Sequence, residues 1–173
     1  INVLMSKTGH SLIKKKIKET NAHIAGEMSG HMFFNHDYYG FDDAIFAAFK
    51  FLEYLTAQDE KLSDIVNDYL IYSSSPEIKL YCNENVKFKN IDLIVNKIKE
   101  NPQNLILNEL DGIRVESKDF WYLIRASNTQ NCLVFRLECK KNLNFKEEIH
   151  NIQKFLQDFD LDLSELNSFY ETI

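Results

Sequence analysis

Residues 119–139, DFWYLIRASNTQNCLVFRLEC, decide the fold of the second half of this chain. Apolar stretches over about 119–125 and 132–139 have the composition of strands, and a short polar loop that begins at Arg125 lies between them. Strands joined by so short a loop pair in an antiparallel sheet. We therefore predict that an antiparallel sheet organises this half of the chain.

The surrounding stretches extend this pattern. Ile78, Leu80 and Cys82 alternate with polar residues, as in a half-buried strand. Asp111-Gly112 is a tight-turn sequence between about 105–110 and 113–116. Apolar residues at helical spacing predict a helix that stops before Pro102 and a final helix over about 145–159. Residues 77–173 are therefore predicted to form one α+β domain.

The first half alternates short strands and helices, which is α/β in character. We predict strands over Asn2–Met5, 22–25 and 31–34, and a helix over about 11–20 whose N-cap is Ser11 or His10. A second helix, capped by Asp42-Asp43, runs to about Leu55. Apolar residues cover nearly the whole circumference of this second helix, so we expect it to be heavily buried. Residues 1–57 are predicted to be part of an α/β domain.

Residues 58–76 separate the two halves. Leu62, Ile65, Val66, Tyr69 and Leu70 have the spacing of an amphipathic helix, which we expect to bridge the two domains. The stretch Ser73–Pro76 is polar and ends in proline, which is typical of a linker. We predict a hinge there.

Composition excludes several classes of protein. The chain has 173 residues and a formal net charge of −6, which argues against a general nucleic-acid binder. No apolar run reaches the ~18–20 residues of a membrane span. The three cysteines, Cys82, Cys132 and Cys139, are odd in number and lack CxxC spacing, so we expect reduced core residues and a cytoplasmic protein. Because the chain starts at Ile1 rather than at methionine, we expect a fragment.

The first candidate site is the sequence GEMSGH, over residues 26–31. The Glu27 carboxylate can accept hydrogen bonds from two adjacent sugar hydroxyls, and Ser29 can supply a third contact. The flanking glycines let a ligand approach the backbone. The alternative is an ordinary turn with a solvated Glu27 and a Ser29 that bonds its own backbone.

The second candidate site is the sequence RASNT, over residues 125–129. The guanidinium of Arg125 can recognise two phosphate oxygens at once, and Ser127, Asn128, Thr129 and the loop N–H groups can complete the shell. The alternative is a polar hairpin turn with Arg125 in a surface ion pair. Together the two sites suggest that a phosphosugar is gripped at its two ends by two domains.

These segments, in this order, resemble the α-D-phosphohexomutase superfamily, most closely its bacterial phosphomannomutase/phosphoglucomutase branch. The resemblance covers roughly residues 1–157, and the matching stretches are KTGHSLIK at 7–14, GEMSGH at 26–31, YGFDD at 39–43, DGIRV at 111–115 and RASNT at 125–129. It implies a four-domain enzyme, of which this chain holds the end of the third domain and all of the fourth. The implied fourth domain is similar to the TATA-binding protein in fold.

The resemblance also implies roles for individual residues. Glu27, Ser29 and His31 contact the sugar hydroxyls, and Gly9 and His10 approach the substrate from a neighbouring loop. The phosphate that is not reacting is bound by the remaining set: Arg125, Ser127, Asn128 and Thr129.

The implied reaction interconverts hexose 1-phosphate and hexose 6-phosphate through a phosphoserine enzyme and a hexose 1,6-bisphosphate, with Mg²⁺ as cofactor. The phosphoserine loop and the aspartate-rich magnesium loop of the family lie in earlier domains. We therefore predict no catalytic and no metal-binding residue in this chain, and no activity for the chain alone. The run DFDLD at 158–162 has apolar spacers and no glycine, so we interpret it as a helix end.

Two alternatives stay open. The chain could be a non-catalytic phosphosugar-binding module, or it could belong to the phosphoglucosamine mutase branch, which typically has glutamine where this chain has Met28. The expected partner is mannose or glucose 1- or 6-phosphate, with no nucleic acid and no membrane. Dimerisation through the exposed edge of an incomplete sheet is a further expectation.

Overall fold

The computed structural model of the protein describes residues 2–102 and 105–173. They form two compact units, one ending at Asp68 and the other beginning at Tyr69. Within the described residues, no helix is long and apolar enough to cross a membrane. The fold is of mixed α and β type with an antiparallel sheet, as the sequence predicts.

The described residues of the first unit form five elements. In chain order they are α1 (His10–Thr20), β1 (Ile24–Gly26), β2 (Met32–Phe34), α2 (Ala44–Thr56) and α3 (Leu62–Asn67). Strands β1 and β2 pair antiparallel, with Ala25 opposite Phe33. The small core of the unit consists of Ile13 and Ile17 from α1 and Phe33 from β2.

Two predictions at the start of the chain are wrong. No strand forms over Asn2–Met5, because a strand needs a neighbour for its hydrogen bonds and the described residues place none beside it. Helix α1 is capped by Gly9 rather than by Ser11 or His10. Gly9 has a φ of 126°, which glycine tolerates, and its carbonyl accepts hydrogen bonds from the N–H groups of Leu12 and Ile13.

Helix α2 begins as predicted but is not buried. The carboxylate of Asp43 accepts a hydrogen bond from the Phe46 N–H at 2.9 Å, which is an N-cap. Tyr38 stacks on Phe46 at 3.8 Å, yet Ile45, Phe49 and Leu52 are 73%, 68% and 55% exposed. The prediction of heavy burial is wrong because an apolar circumference needs packing partners on every side, and the described residues supply them on one side.

The expected bridging helix and hinge also differ from the structure. Helix α3 ends at Asn67, so Tyr69 and Leu70 lie beyond it. Ser73 and Ser74 lie in a strand, and Ser75 is buried. The Ser75 hydroxyl oxygen accepts a hydrogen bond from the Leu137 N–H at 3.0 Å, while the Ser75 N–H donates to the Leu137 carbonyl at 2.9 Å. The segment is therefore fixed to the second unit rather than free to act as a hinge.

The second unit contains nine elements among the described residues. They are β3 (Tyr72–Ser74), β4 (Ile78–Tyr81), α4 (Glu84–Lys99), β5 (Ile106–Asn108), β6 (Ile113–Glu116), β7 (Phe120–Ala126), β8 (Cys132–Lys140), α5 (Phe145–Leu156) and α6 (Ser164–Thr172). The strand order is β3-β8-β7-β6-β5, and β4 pairs with another part of β8. All these pairings are antiparallel. The predicted strands, the Asp111-Gly112 turn and the helix ending before Pro102 are confirmed.

One core holds the second unit together. Apolar residues of α4, α5 and α6, including Ile94, Ile149 and Leu166, pack with buried strand residues such as Ile124 and Phe135. Cys132 and Cys139 are buried and Cys82 is half-buried, and all three are free thiols. Helix α6 was not predicted. Asp162 accepts a hydrogen bond from the Ser164 N–H at 2.8 Å where α6 begins. The DFDLD sequence at 158–162 therefore forms a turn before α6 rather than the end of α5.

Candidate functional site

The GEMSGH sequence forms the turn between β1 and β2. The Glu27 N–H donates to the His31 carbonyl at 2.9 Å, and the Gly30 N–H donates to the Glu27 carbonyl at 3.0 Å. Gly30 has a φ of 89°, a conformation that side-chain-bearing residues rarely adopt. The turn therefore sets Glu27, Ser29 and His31 at fixed positions on one hairpin.

The three predicted sugar-binding side chains contact one another. The Ser29 hydroxyl lies 2.6 Å from His31 Nδ1 and 3.4 Å from Glu27 Oε2. His31 Nδ1 also lies 3.2 Å from Glu27 Oε2. The other carboxylate oxygen, Oε1, accepts a hydrogen bond from the Gly9 N–H at 2.9 Å. This carboxylate is therefore held from two sides, and the Gly9 N–H is engaged by protein.

His10 and Asp42 complete this cluster. The His10 ring packs edge-on against the His31 ring, with 4.6 Å between centroids. Asp42 Oδ2 lies 3.9 Å from Nε2 of His10 and 3.9 Å from Nε2 of His31, while Asp42 Oδ1 accepts a hydrogen bond from the Met32 N–H at 3.0 Å. The structure thus brings together all the predicted residues of the first unit and adds Asp42. The sequence signal for Asp42 was the acidic pair at 42–43. Only one carboxylate, that of Asp43, is needed to cap α2, so the other is available for a different contact.

The RASNT sequence spans the end of β7 and the turn into β8. Arg125 pairs with Val134 in the ladder, and its side chain is 15% exposed, with Nη2 3.5 Å from Glu77 Oε1. Gly112 has a φ of 70°, and a Cβ atom added to it would lie 2.6 Å from the Arg125 Cα. The Asp111-Gly112 turn therefore packs directly against the backbone that carries the guanidinium.

Ser127 organises the turn from inside. Its hydroxyl oxygen accepts hydrogen bonds from the N–H groups of Thr129 at 3.4 Å and Gln130 at 3.2 Å, and its own N–H donates to the Cys132 carbonyl. A hydroxyl has two acceptor positions and one donor, so its O–H remains to donate to a ligand. The N–H groups of Ser127, Thr129 and Gln130 therefore hydrogen-bond to protein atoms, whereas we predicted that the loop N–H groups bind phosphate. Asn128 and Thr129 are exposed.

Lys87 is a functional candidate that the sequence reasoning missed. It lies on α4 and is only 6% exposed. Its ammonium group donates to the Ser127 carbonyl at 2.9 Å and to the Gln130 carbonyl at 3.1 Å. The available signal was its spacing, because Lys87 lies on the same helical face as Ile91, Ile94 and Ile98. A buried cation thus fixes both ends of the turn.

Comparison with known proteins shows the family to which the chain belongs. The domain described as "Phosphoglucomutase/phosphomannomutase, alpha/beta/alpha domain III" matches residues 1–72. A phosphomannomutase/phosphoglucomutase of Pseudomonas aeruginosa is 41% identical over 150 residues, covering 87% of this chain and 31% of that protein. The chain belongs to the phosphoglucomutase/phosphomannomutase family.

Two further proteins support this family assignment. A phosphoglucomutase of Neisseria meningitidis is 41% identical over 136 residues, covering 78% of this chain and 29% of that protein. The crystal structure of a family protein from Burkholderia thailandensis superposes with a TM-score of 0.78 at 34% identity, covering 92% of this chain and 34% of that one. The chain thus spans about a third of the length of these relatives.

Proposed function

We propose that this chain is the phosphosugar-binding part of a phosphomannomutase/phosphoglucomutase, an enzyme that interconverts hexose 1-phosphate and hexose 6-phosphate. The observation that carries the proposal is the turn at 125–130, where a shielded guanidinium precedes a loop held by the buried ammonium group of Lys87. Such a guanidinium can form two charge-assisted hydrogen bonds to one phosphate.

In this proposal Arg125, Asn128 and Thr129 bind the phosphate that is not reacting, and the Ser127 O–H donates to it. The substrate must bind in two orientations, because the 1- and 6-positions exchange roles. A site made of a guanidinium, hydroxyls and an amide suits this need, since it recognises the phosphate and little of the sugar.

The first unit supplies the sugar contacts. The Glu27 carboxylate accepts hydrogen bonds from neighbouring sugar hydroxyls, and Ser29 and His31 replace their mutual hydrogen bond with contacts to the ring. His10 approaches from the start of α1. Because Glu27 is held by the Gly9 N–H, the carboxylate is already oriented before the sugar arrives.

The reaction passes through a phosphoserine enzyme and a hexose 1,6-bisphosphate, and we place the phosphoserine outside this chain. Mg²⁺ supplies charge stabilisation in such phosphoryl transfers. Among the described residues, the grouped metal-ligating side chains are two imidazoles and one carboxylate, whereas Mg²⁺ prefers oxygen ligands alone. We therefore assign Mg²⁺ to no residue of this chain and expect no turnover by the chain alone.

A second candidate is a phosphoglucosamine mutase. A protein of that name from Methanococcus aeolicus is 30% identical over 159 residues, covering 91% of this chain and 34% of that protein. Glucosamine 1-phosphate that displaces mannose 1-phosphate with higher affinity would favour this candidate. A third candidate is a non-catalytic phosphosugar-binding module, which a parent protein without a phosphoserine loop would favour.

The test is a calorimetric titration of this chain with mannose 1-phosphate, inorganic phosphate and unphosphorylated mannose. We expect the phosphosugar and phosphate to bind, and Arg125→Ala to weaken both by ~2–4 kcal/mol, because a charge-assisted bidentate contact is lost.

Arg136→Ala is the matched control. Arg136 lies on β8, its side chain is 19% exposed and it pairs with Glu138 of the same strand, so its loss should leave phosphate binding unchanged. Equal affinities of Arg125→Ala and the unmodified chain would refute the assignment of Arg125 to phosphate.

A further inference from the structure

The cluster around His31 has the chemistry of a transition-metal site. One ligand atom from each of His10, Glu27 and His31 lies within 4.8 Å of the other two. Two histidines and one glutamate are a ligand set that Zn²⁺ uses in proteins, with water in the remaining position. This is a different class of ligand from the phosphosugar of the proposed function.

The distances allow the site to close with little movement. An ion centred among three atoms 4.8 Å apart lies about 2.8 Å from each of them, and Zn–N and Zn–O bonds are about 2.0–2.2 Å long. His31 Nδ1 and Glu27 Oε2 are already 3.2 Å apart, which is close to the separation of two ligands on one zinc ion. Small side-chain rotations of His10 and His31 therefore suffice.

The local charge also favours a cation. Glu27 and Asp42 contribute two carboxylates, and Asp42 Oδ2 lies 3.9 Å from Nε2 of both histidines. The two carboxylates bring negative charge to the cluster, which a divalent cation neutralises. Asp42 lies on the Nε2 side of both rings, where carboxylates orient metal-bound histidines.

The position of Glu27 is independently fixed. Its Oε1 accepts a hydrogen bond from the Gly9 N–H, so Oε2 faces His31 and Ser29 without having to reorganise.

Imidazole ligands select Zn²⁺, Ni²⁺ or Cu²⁺ over Mg²⁺. The chemical class of the ion follows from this donor set.

We propose that His10, Glu27 and His31 bind a Zn²⁺-class metal ion in the place where the sugar ring would bind, so that metal and sugar exclude each other. Exclusion of the sugar rests on the proposed function, whereas metal binding does not. Occupancy by the metal would make this site sensitive to free zinc.

The test is a titration of the chain with zinc chloride, followed by calorimetry and, for Co²⁺, by its visible spectrum. We expect one ion per chain and an affinity that falls about tenfold or more in His31→Asn and in Glu27→Gln. Circular dichroism checks that both variants are folded. If one variant misfolds, the other still tests the site.

Two control variants test other ligands. His36 lies 2.7 Å from Asp37, and its ring lies 4.7 Å from that of His23, outside the proposed set. Cys82 is a half-buried thiol. We expect His36→Asn and Cys82→Ser to bind zinc as the unmodified chain does. Zinc binding that survives in both folded site variants, or that is lost in a control variant, would overturn the proposal.

A competition arm separates the two proposals. Mannose 1-phosphate should raise the apparent dissociation constant for zinc, and simultaneous binding of both would overturn mutual exclusion. Zinc binding without any phosphosugar binding would support the metal site and count against the proposed function. Phosphosugar binding without zinc binding would support the proposed function and overturn the metal site.

Discussion

At the scale of single residues, Lys87 is a buried charge that holds the turn at 127–130. Burying an ammonium group costs free energy unless it is hydrogen-bonded. Here the carbonyls of Ser127 and Gln130 accept hydrogen bonds from two of its three N–H groups, and no acidic side chain of the described residues forms an ion pair with it. In the proposed function, this positive charge beneath the turn attracts the phosphate.

We predict that Lys87→Met weakens phosphate and phosphosugar binding by ~1–3 kcal/mol, because two charge-assisted hydrogen bonds to the turn are lost while the apolar stem is kept. Calorimetry measures the affinity, and amide hydrogen exchange of residues 127–130 measures the order of the turn. Lys89→Met, on the exposed side of the same helix, is the control. Unchanged affinity and exchange in Lys87→Met would remove this role.

Tyr122 makes the free energy of unfolding depend on pH in the alkaline range. Burial raises the pKa of its phenol from 10.0 to about 12. Below pH 10 the phenol is protonated in both states, so its contribution is complete. Between pH 10 and 12 the unfolded chain releases the proton and the folded chain keeps it, so stability falls.

We predict that the difference in unfolding free energy between the unmodified chain and Tyr122→Phe shrinks by about 2 kcal/mol between pH 9 and 12. Urea unfolding at several pH values measures it. Comparison with the variant cancels the titration of the other tyrosines and lysines. A difference that stays constant with pH would contradict the prediction.

At the scale of elements, the stretch at 73–76 illustrates how composition misleads. Three serines and a proline are typical of a linker, yet the backbone and hydroxyl of Ser75 hydrogen-bond to Leu137 in β8. A serine can follow a strand into the core when its hydroxyl finds partners, because both its donor and its acceptor are then satisfied.

We predict that Ser75→Ala lowers the unfolding free energy by about 1–3 kcal/mol, because the Leu137 N–H loses its buried acceptor. Ser74→Ala is the control, since the Ser74 side chain is exposed. Chemical denaturation measures both variants. If Ser75→Ala were as mild as Ser74→Ala, the segment would behave as a solvated linker.

At the scale of the whole molecule, the first unit exposes one apolar helix face. Ile45, Phe49 and Leu52 are spaced by four and three residues, so they lie on the same side of α2. Apolar patches of this kind favour association. We predict that chains associate through this face, and association through the strand edge expected from the sequence stays a separate prediction.

We predict that the chain self-associates as its concentration rises and that Phe49→Lys weakens this association at least tenfold, because a charge would be buried in the contact. Sedimentation velocity over a range of concentrations measures it. Tyr54→Lys introduces the same charge at an exposed position on the opposite side of α2 and should leave association unchanged. A chain that stays monomeric, or a Phe49→Lys variant that associates equally well, would exclude this face.

The sequence by itself determined where most elements lie and where both candidate loops stand. Asp43 caps α2, Gly112 turns the chain between β5 and β6, and apolar spacing locates α4 and α5, because each of these signals acts within a few residues. The same is true of the GEMSGH and RASNT loops, whose residue types carried the resemblance to the family. These features are local, so a single sequence suffices to predict them.

Only the tertiary structure decided which side chains meet. Burial of Ser75, exposure of α2, the contact of Lys87 with the turn at 127–130 and the approach of Asp42 to His10 and His31 each depend on neighbours distant in the chain. Their free energies come from packing and desolvation by those neighbours, which residue spacing does not specify. The residues that hold each loop in place therefore became visible only once the chain was folded.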